Sequence, residues 1–469
     1  MKRLRIHPRA VLASSLAVIA SACGPSAQPK DAVVDAPGFD ASDPEARGCG
    51  DWPSRPGEMF VSLDGASQFE VEPFFVAGQG DLAMAWEACG CDGVTRIGYR
   101  RRGSVSGLDK IRYLASPNGQ MASNVTLARN GAGALFAAWA SWTPGPNPAQ
   151  PHLQASDIHI QFSRWPAGAN GFEAPVELSD PITDALYDKP WMIVTADDVL
   201  VISYSDLRRG GILAVSSADG GASFQRAVID KAQANLAALC PDGRPGGAFA
   251  TYVATRSIRV AHTADGGVTW SVPVAVALSD ATGNIAFHDP TCIANGDEVW
   301  ISYGRTLDSY DTPVARLLGV HVAHMILGAS VPDSDVTALD GAAQALTDAG
   351  DAAGDGGVSP GFLLFPQLAR HADGKLALAT YRAASEGPGS ADLVYVTSAD
   401  AGRSFAIATT FAAGLTPTLQ RHVPAWLGDY FGWGPTETGL GAAFVDNASG
   451  FSHIVFDEAV LPSGVSSKP

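Results

Sequence analysis

Val260-Ala261-His262-Thr263-Ala264-Asp265-Gly266-Gly267-Val268-Thr269-Trp270 decides how this chain folds. From Thr263 onward, a hydroxyl residue is followed at fixed spacing by Asp, Gly, a second hydroxyl and an aromatic ring. The same grammar returns in Ser217-Ala218-Asp219-Gly220-Gly221-Ala222-Ser223-Phe224 and in Ser398-Ala399-Asp400-Ala401-Gly402-Arg403-Ser404-Phe405. An alternating strand, Ser257 to His262, leads in, and another leaves after Trp270. Between them the Asp carboxylate folds back onto backbone N–H groups, as Asp does in tight turns. Gly221, Gly267 and Gly402 stand where a positive φ is wanted. Phe224, Trp270 and Phe405 leave the turn as apolar anchors. Asp219, Asp265 and Asp400 therefore read as turn staples rather than as catalytic acids.

A longer repeat carries these octapeptides. Each copy opens with a short apolar strand behind a polar or Pro-containing lead-in, turns at Gly, Asp or Asn, and returns in a strand ending in an aromatic. Copies run from Glu72-Pro73-Phe74 to Trp86, from Asn124-Val125-Thr126 to Trp139, and from Asp188-Lys189-Pro190-Trp191 to Tyr204. Others run from Asn235-Leu236-Ala237 to Tyr252 and from His288-Asp289-Pro290 to Tyr303. The last two run from Phe365-Pro366-Gln367 to Tyr381 and from Gly428-Asp429-Tyr430 to Phe444. Two more strands follow in each copy, joined by the octapeptide in the third, fourth and sixth. Ser163 to Phe172 in the second copy is a decayed form without the Asp. A period of about 45 residues is that of a four-stranded propeller blade. The expected fold is an all-β propeller with seven blades, six being the alternative. The strand Glu58 to Leu63 is placed to complete the last blade and close the ring. Thr337 to Gly357 reads as a low-complexity insertion.

Composition bounds the function. With 51 Gly and 31 Pro the chain is turn-rich, and its net charge of −17 argues against nucleic acid or anionic lipid as electrostatic partners. Lys2 to Arg9 is basic and Ala10 to Ala22 apolar, so residues 1–22 read as an export signal. The run up to Cys23 resembles a bacterial lipoprotein signal, which implies acylation of Cys23; plain signal cleavage and secretion is the alternative. Residues 23–57 form an acidic tether rich in Ala, Pro, Asp and Ser. In an oxidising compartment Cys240 is expected to pair with Cys292, and Cys49 with Cys89 or Cys91. No metal-ligand spacing or cofactor motif is present; Ca²⁺ at an acidic mouth is left open. A monomer is expected.

Strand direction within a blade turns the repeat into a map. The octapeptides lie on one face, and the starts of the inner strands and the turns after the second strands lie on the other. That second face brings together Glu72, Asp188, His288, Asp289, Asp429 and Tyr430, with Arg208, Arg256, Arg305 and Arg382 from four successive blades. Arginines at one mouth suit bidentate recognition of a carboxylate.

The octapeptide resembles the Asp-box, or BNR repeat, of sialidases. Gly428-Asp429-Tyr430-Phe431-Gly432 and Asp188-Lys189-Pro190-Trp191 are similar to motifs of secreted sialidase-like BNR proteins. For an active member the resemblance implies Tyr430 as nucleophile, Glu72 as its base, Asp188 as acid/base, and Arg256, Arg305 and Arg382 as a carboxylate clamp. The Arg-Ile-Pro-like motif that announces the first arginine of that family is absent. Two readings follow. One is a lipid-anchored propeller that binds a glycan or surface protein at its mouth. The other is an exo-acting glycoside hydrolase of sialidase type.

Overall fold

A computed structural model describes residues 59–60 and 67–459, apart from 79, 91–92, 104–106, 118, 147–154, 183, 282, 309–315, 342–360, 386–388, 407–408, 418–425 and 448–451. The described residues form seven antiparallel sheets, each a blade whose strands run A to D outward from the axis. Blade 1 holds Ser67–Gly78, Asp81–Gly90 and Thr95–Gly103, edged by Gly107–Leu108 and Arg112–Tyr113. Blade 2 holds Met121–Arg129, Leu135–Thr143, Ser156–Trp165 and Val176–Glu177; blade 3 holds Tyr187–Val194, Leu200–Asp206, Ile212–Ser217 and Gln225–Asp230. Blade 4 is Ala234–Pro241, Ala248–Ala254, Ser257–Thr263 and Val274–Leu278. Blade 5 is Thr291–Asn295, Glu298–Thr306, Gly319–Ile326 and Ser334–Asp340, with Asn284–Ile285 beside its second strand. Blade 6 is Phe362–Arg370, Leu376–Ala383, Ala391–Ser398 and Thr409–Leu415.

Blade 7 closes the ring. Gly432–Pro435, Leu440–Asp446 and His453–Ala459 are joined by Met59–Phe60, which pairs with Phe456 and Val455 as the outermost strand. Strand A of every blade packs against strand A of the next, and that of blade 7 returns to that of blade 1. The fold is a seven-bladed β-propeller. Its core lies between blades. The aromatic that ends each second strand, from Trp86 and Trp139 through Tyr204, Tyr252, Tyr303 and Tyr381 to Phe444, is at most 2% exposed. Truncating one of the larger rings to Ala removes on the order of 3–5 kcal/mol.

The octapeptides join strands C and D of blades 3, 4 and 6 and share one hydrogen-bond plan. Asp265 Oδ1 accepts from the Thr263 hydroxyl at 2.8 Å and the Thr269 N–H at 2.9 Å, while Oδ2 accepts from the Thr269 hydroxyl at 2.6 Å. Asp219 and Asp400 repeat this with Ser217 and Ser223, and with Ser398 and Ser404. Donation by Ser404 and Ser398 holds the Asp400 carboxyl down at about 2. Gly221, Gly267 and Gly402 all have φ near +85°, where a side chain is strained. Each turn also leans on the blade before it. A Cβ on Gly221 would stand 2.5 Å from the Phe162 ring of blade 2, and Phe224 meets the same ring edge-on at 5.1 Å.

Cys240 and Cys292 are bonded and tie the inner strands of blades 4 and 5. Cys89 is also in a disulfide; its candidate partners Cys49 and Cys91, like Cys23 and the leader and tether, lie outside the described residues. One expectation is corrected. Thr337 to Asp340 end strand D of blade 5 rather than open an insertion, because Ser334–Asp340 alternates and pairs with Gly319–His324.

Candidate functional site

The inner strands of blades 1, 2, 3, 4 and 6 share one irregularity. Pairing with strand B slips by one residue between Val71 and Phe74, Ser123 and Thr126, Asp188 and Trp191, Asn235 and Ala238, and Leu364 and Gln367. Inside each bulge one non-glycine residue takes a positive φ: Glu72, Asn124, Lys189, Leu236 and Phe365. A bulge re-aims side chains that a regular strand would alternate between faces. In three blades the next residue is Pro73, Pro190 or Pro366, which has no N–H to leave unpaired. The Lys189 N–H is taken by Asp188 Oδ1 at 2.7 Å, and the Leu236 N–H by Asn235 Oδ1 at 2.8 Å.

The bulges of blades 1, 2 and 3 converge with the Asp429-Tyr430 lead-in of blade 7. Lys189 is 5% exposed. Its Nζ donates to Asn124 Oδ1 at 2.6 Å, Asp429 Oδ2 at 3.2 Å and Glu72 Oε1 at 3.5 Å, and it sits 5.4 Å from the centre of the Tyr430 ring. Asn124 Nδ2 in turn donates to Asp188 Oδ1 at 3.2 Å. One ammonium thus ties four blades together.

Burial dominates the protonation of this cluster. It pushes Asp188 up to about 6, against the opposing pull of the Lys189 charge and N–H. Burial, reinforced by the neighbouring Glu72 charge, holds Glu87 well above the usual carboxylate range. For Lys189 burial acts in the opposite sense, but Glu72, Asp429, Asp188 and Asp289 outweigh it and raise the ammonium pKa. Tyr430 is raised by burial and by the acids around it. Its hydroxyl donates to the Val125 carbonyl at 3.0 Å, so the hydroxyl expected to meet a Glu72 base is directed to a backbone oxygen instead. Desolvation brings His288 down to about 4, and its Nδ1 lies 3.0 Å from the Asp289 carbonyl. Asn124, Lys189, Asp289 and Tyr430 line a cavity of about 10 Å³, the lower limit for one water molecule.

The expected carboxylate clamp is not gathered in this cluster. Arg208 pairs with Asp184 at 3.4 Å, Arg305 with Asp280 at 3.2 Å and Arg382 with Asp392 at 3.4 Å. Asp392 belongs to Arg382's own blade, and Asp184 and Asp280 to the linker just before the blade of their partner. Arg256 is exposed, and with Thr255 it makes the two-residue hairpin turn of blade 4, both at positive φ. Among the described residues no three His, Cys, Asp or Glu side chains come together to hold a metal ion. Strand order in the sequence places Lys189, Asn124 and Glu87 on the mouth face too, but gives none of them a role in binding or chemistry. The available signal was a Lys placed between Asp and Pro at the head of an apolar strand.

The chain matches no family model and no curated protein. Among solved structures it resembles the Hadza microbial sialidase Hz136, at 14% identity over 86% of this chain and 68% of that one, with a TM-score of 0.48. It resembles a Dyadobacter fermentans protein of unknown function at 13% identity over 73% of this chain and 95% of that one, with a TM-score of 0.48. It also resembles a Trypanosoma rangeli sialidase in complex with the inhibitor DANA, at 14% identity and a TM-score of 0.44. That match covers 72% of this chain and only 55% of the other.

Proposed function

We propose that the protein is an exported, lipid-anchored binding propeller that presents its axial mouth to a glycan or a surface protein and does not turn over sialosides. The observation that carries this reading is the state of the cations. Lys189 is spent on holding blades 1, 2, 3 and 7 together. Arg208, Arg305 and Arg382 are each engaged by an acid of their own blade or the linker leading into it. A sialidase needs convergent arginines for the substrate carboxylate and a tyrosine activated by a glutamate. Here the Tyr430 hydroxyl is committed to Val125 and its pKa is raised rather than lowered. The test is a fluorogenic sialoside assay on the chain without residues 1–22, together with a glycan array. The expected result is hydrolysis no faster than the buffer blank. Turnover that disappears in Tyr430→Phe overturns the proposal.

A second reading, an exo-acting glycoside hydrolase, is favoured by Asp188, whose carboxyl titrates near 6 as a general acid should. It predicts turnover lost in Asp188→Asn. Anchoring is tested separately. Cys23→Ser moves the protein from the membrane fraction to the soluble fraction if Cys23 carries the lipid.

A further inference from the structure

The turns joining strands C and D lie on the face away from the mouth, the far face. Those of blades 3, 4 and 6 each make a joint with the blade before: Gly221 on Phe162, Gly267 on Val201 and Gly402 on Trp300. Blade 5 does something else. Between Gly319–Ile326 and Ser334–Asp340 it carries Leu327-Gly328-Ala329-Ser330-Val331-Pro332-Asp333, with no ionisable residue before Asp333. Ile326, Leu327 and Val331 are exposed there, Val331 to 67%. The neighbouring connection of blade 4 adds Val268 and Val272, the latter 85% exposed. Ten large apolar side chains are exposed among the described residues, and five of them stand on these two adjacent turns. Single exposed aliphatics are ordinary, but a local concentration marks an interaction surface.

The blade 5 turn is a built support. The Leu327 N–H donates to the Asp297 carbonyl at 2.7 Å, the Ala329 N–H to the Ile326 carbonyl at 2.9 Å, and the Asp333 N–H to the His324 carbonyl at 2.9 Å. These amides are already satisfied, so an apolar surrounding costs them little. Charge does not recruit the partner. Asp297, Glu298 and Asp333 flank the turn, and the one nearby guanidinium, Arg244, is held by Asp242 and Asp297.

Strand polarity places the entry of the chain on this same face. Ala459 lies opposite Leu440, where strand B of blade 7 leaves its A–B turn, so Ala459 is at the far-face end of strand C. Met59 pairs with Phe456 and Phe60 with Val455. Strand D of blade 7 therefore runs from the far face toward the mouth, and the sequence leading from Cys23 joins the propeller at the far face. Thirty-five residues separate Cys23 from Met59.

We propose that the far face rests on a lipid bilayer, with Ile326, Leu327, Val331, Val268 and Val272 in the headgroup–acyl boundary, so that the mouth opens away from the membrane. The inference rests on the reading of Cys23 as the lipid-bearing residue. A contact of five aliphatics is small, but the anchor holds the propeller at high local concentration beside the surface, so a weak contact suffices to orient it. The flanking acids suit neutral headgroups rather than anionic ones.

The test takes the full chain, made with its leader and reconstituted in phosphatidylcholine vesicles, and reads amide hydrogen exchange. Exchange over 326–333 is expected to be slower by about threefold or more than in Cys23→Ser mixed with the same vesicles, as burial of a surface turn requires. The mouth turn Leu207 to Gly211 is expected to exchange alike in both. Leu327→Glu combined with Val331→Glu is expected to abolish the protection without releasing the protein from the vesicles; if that pair does not fold, Val331→Glu alone serves. Equal exchange over 326–333 in the anchored chain and Cys23→Ser overturns the proposal and leaves the anchor standing. Protection of the mouth turn in place of 326–333 does the same. A full chain that does not join the vesicles overturns the anchor, and the proposal with it. Protection in Cys23→Ser that grows with protein concentration in the absence of lipid assigns the turns to a second copy of the chain and also overturns the proposal.

Discussion

The two ends of the propeller axis use repetition in opposite ways. On the far face both sequence and geometry repeat: the three octapeptides carry the same hydroxyl, Asp, Gly, hydroxyl and aromatic spacing and nearly the same hydrogen-bond lengths. Near the mouth only the geometry repeats. Five inner strands carry the same bulge, and the residue at its positive φ is Glu, Asn, Lys, Leu or Phe. A repeated residue in a repeated place is doing the same structural job each time. A repeated backbone device that carries different residues is a frame, and its variable side chains can be chosen for a site. The difference moves attention from the acids that recur most visibly, Asp219, Asp265 and Asp400, to acids that occur once, Glu72, Asp188 and Asp429.

The largest effect that distinguishes the two ends is expected at Lys189. Lys189→Met removes the one ammonium that Glu72 and Asp429 share. It takes the shared cation away from two buried carboxylates, at a cost of about 3–5 kcal/mol by urea denaturation. A loss below about 1 kcal/mol would mean that the cluster is not the ring's central tie. On the far face the comparable break is Gly221→Ala. It sets a Cβ at 2.5 Å from Phe162 in a backbone with φ +88°, and about 3 kcal/mol is expected from strain and overpacking together. Gly220→Ala is the internal control: φ is +68° but nothing lies within 4 Å, so only about 1 kcal/mol of backbone strain remains. Equal losses at the two glycines would show that the joint onto blade 2 contributes nothing beyond the turn.

These two ends were unequally legible in the sequence. The octapeptide is local chemistry: hydroxyl, Asp and Gly close a turn within eight residues, so pattern and structure coincide. The aromatic ending each second strand was equally visible, and it located all seven blades. At the mouth, sequence order named Glu72, Asp188, Asp429 and Tyr430 because each opens an inner strand. It placed Lys189 on the same face but could not make it their hub. Lys189 meets Glu72 and Asp429 across separations of 117 and 240 residues, and a bulge that turns a lysine inward has no spacing signature. The acid partners of the arginines were hidden for a related reason. The recurrence of the arginines after strand B was real, but Asp184 and Asp280, which engage Arg208 and Arg305, lie in linkers outside the repeat.

A smaller effect than those of Lys189 and Gly221 says how the cluster's charge is shared. Asp188 has its carboxyl pushed by burial to about 6, against about 3.9 in an unfolded chain. A carboxyl with a raised folded pKa binds its proton more tightly when folded. Its ionisation therefore costs nothing below about pH 4, costs more as pH rises toward 6, and costs its full amount above 6. Asp188→Asn has no charge to bury. Its stability relative to the native protein should rise by about 2 kcal/mol between pH 4 and pH 7, as read by urea denaturation at both pH values. The alternative is that Lys189 neutralises Asp188 outright, in which case Asp188→Asn is destabilising at pH 7 and the difference shrinks as pH falls. The geometry favours the first outcome. The ammonium of Lys189 is directed at Asn124, Asp429 and Glu72, while Asp188 Oδ1 accepts from the Lys189 backbone N–H and the Asn124 amide.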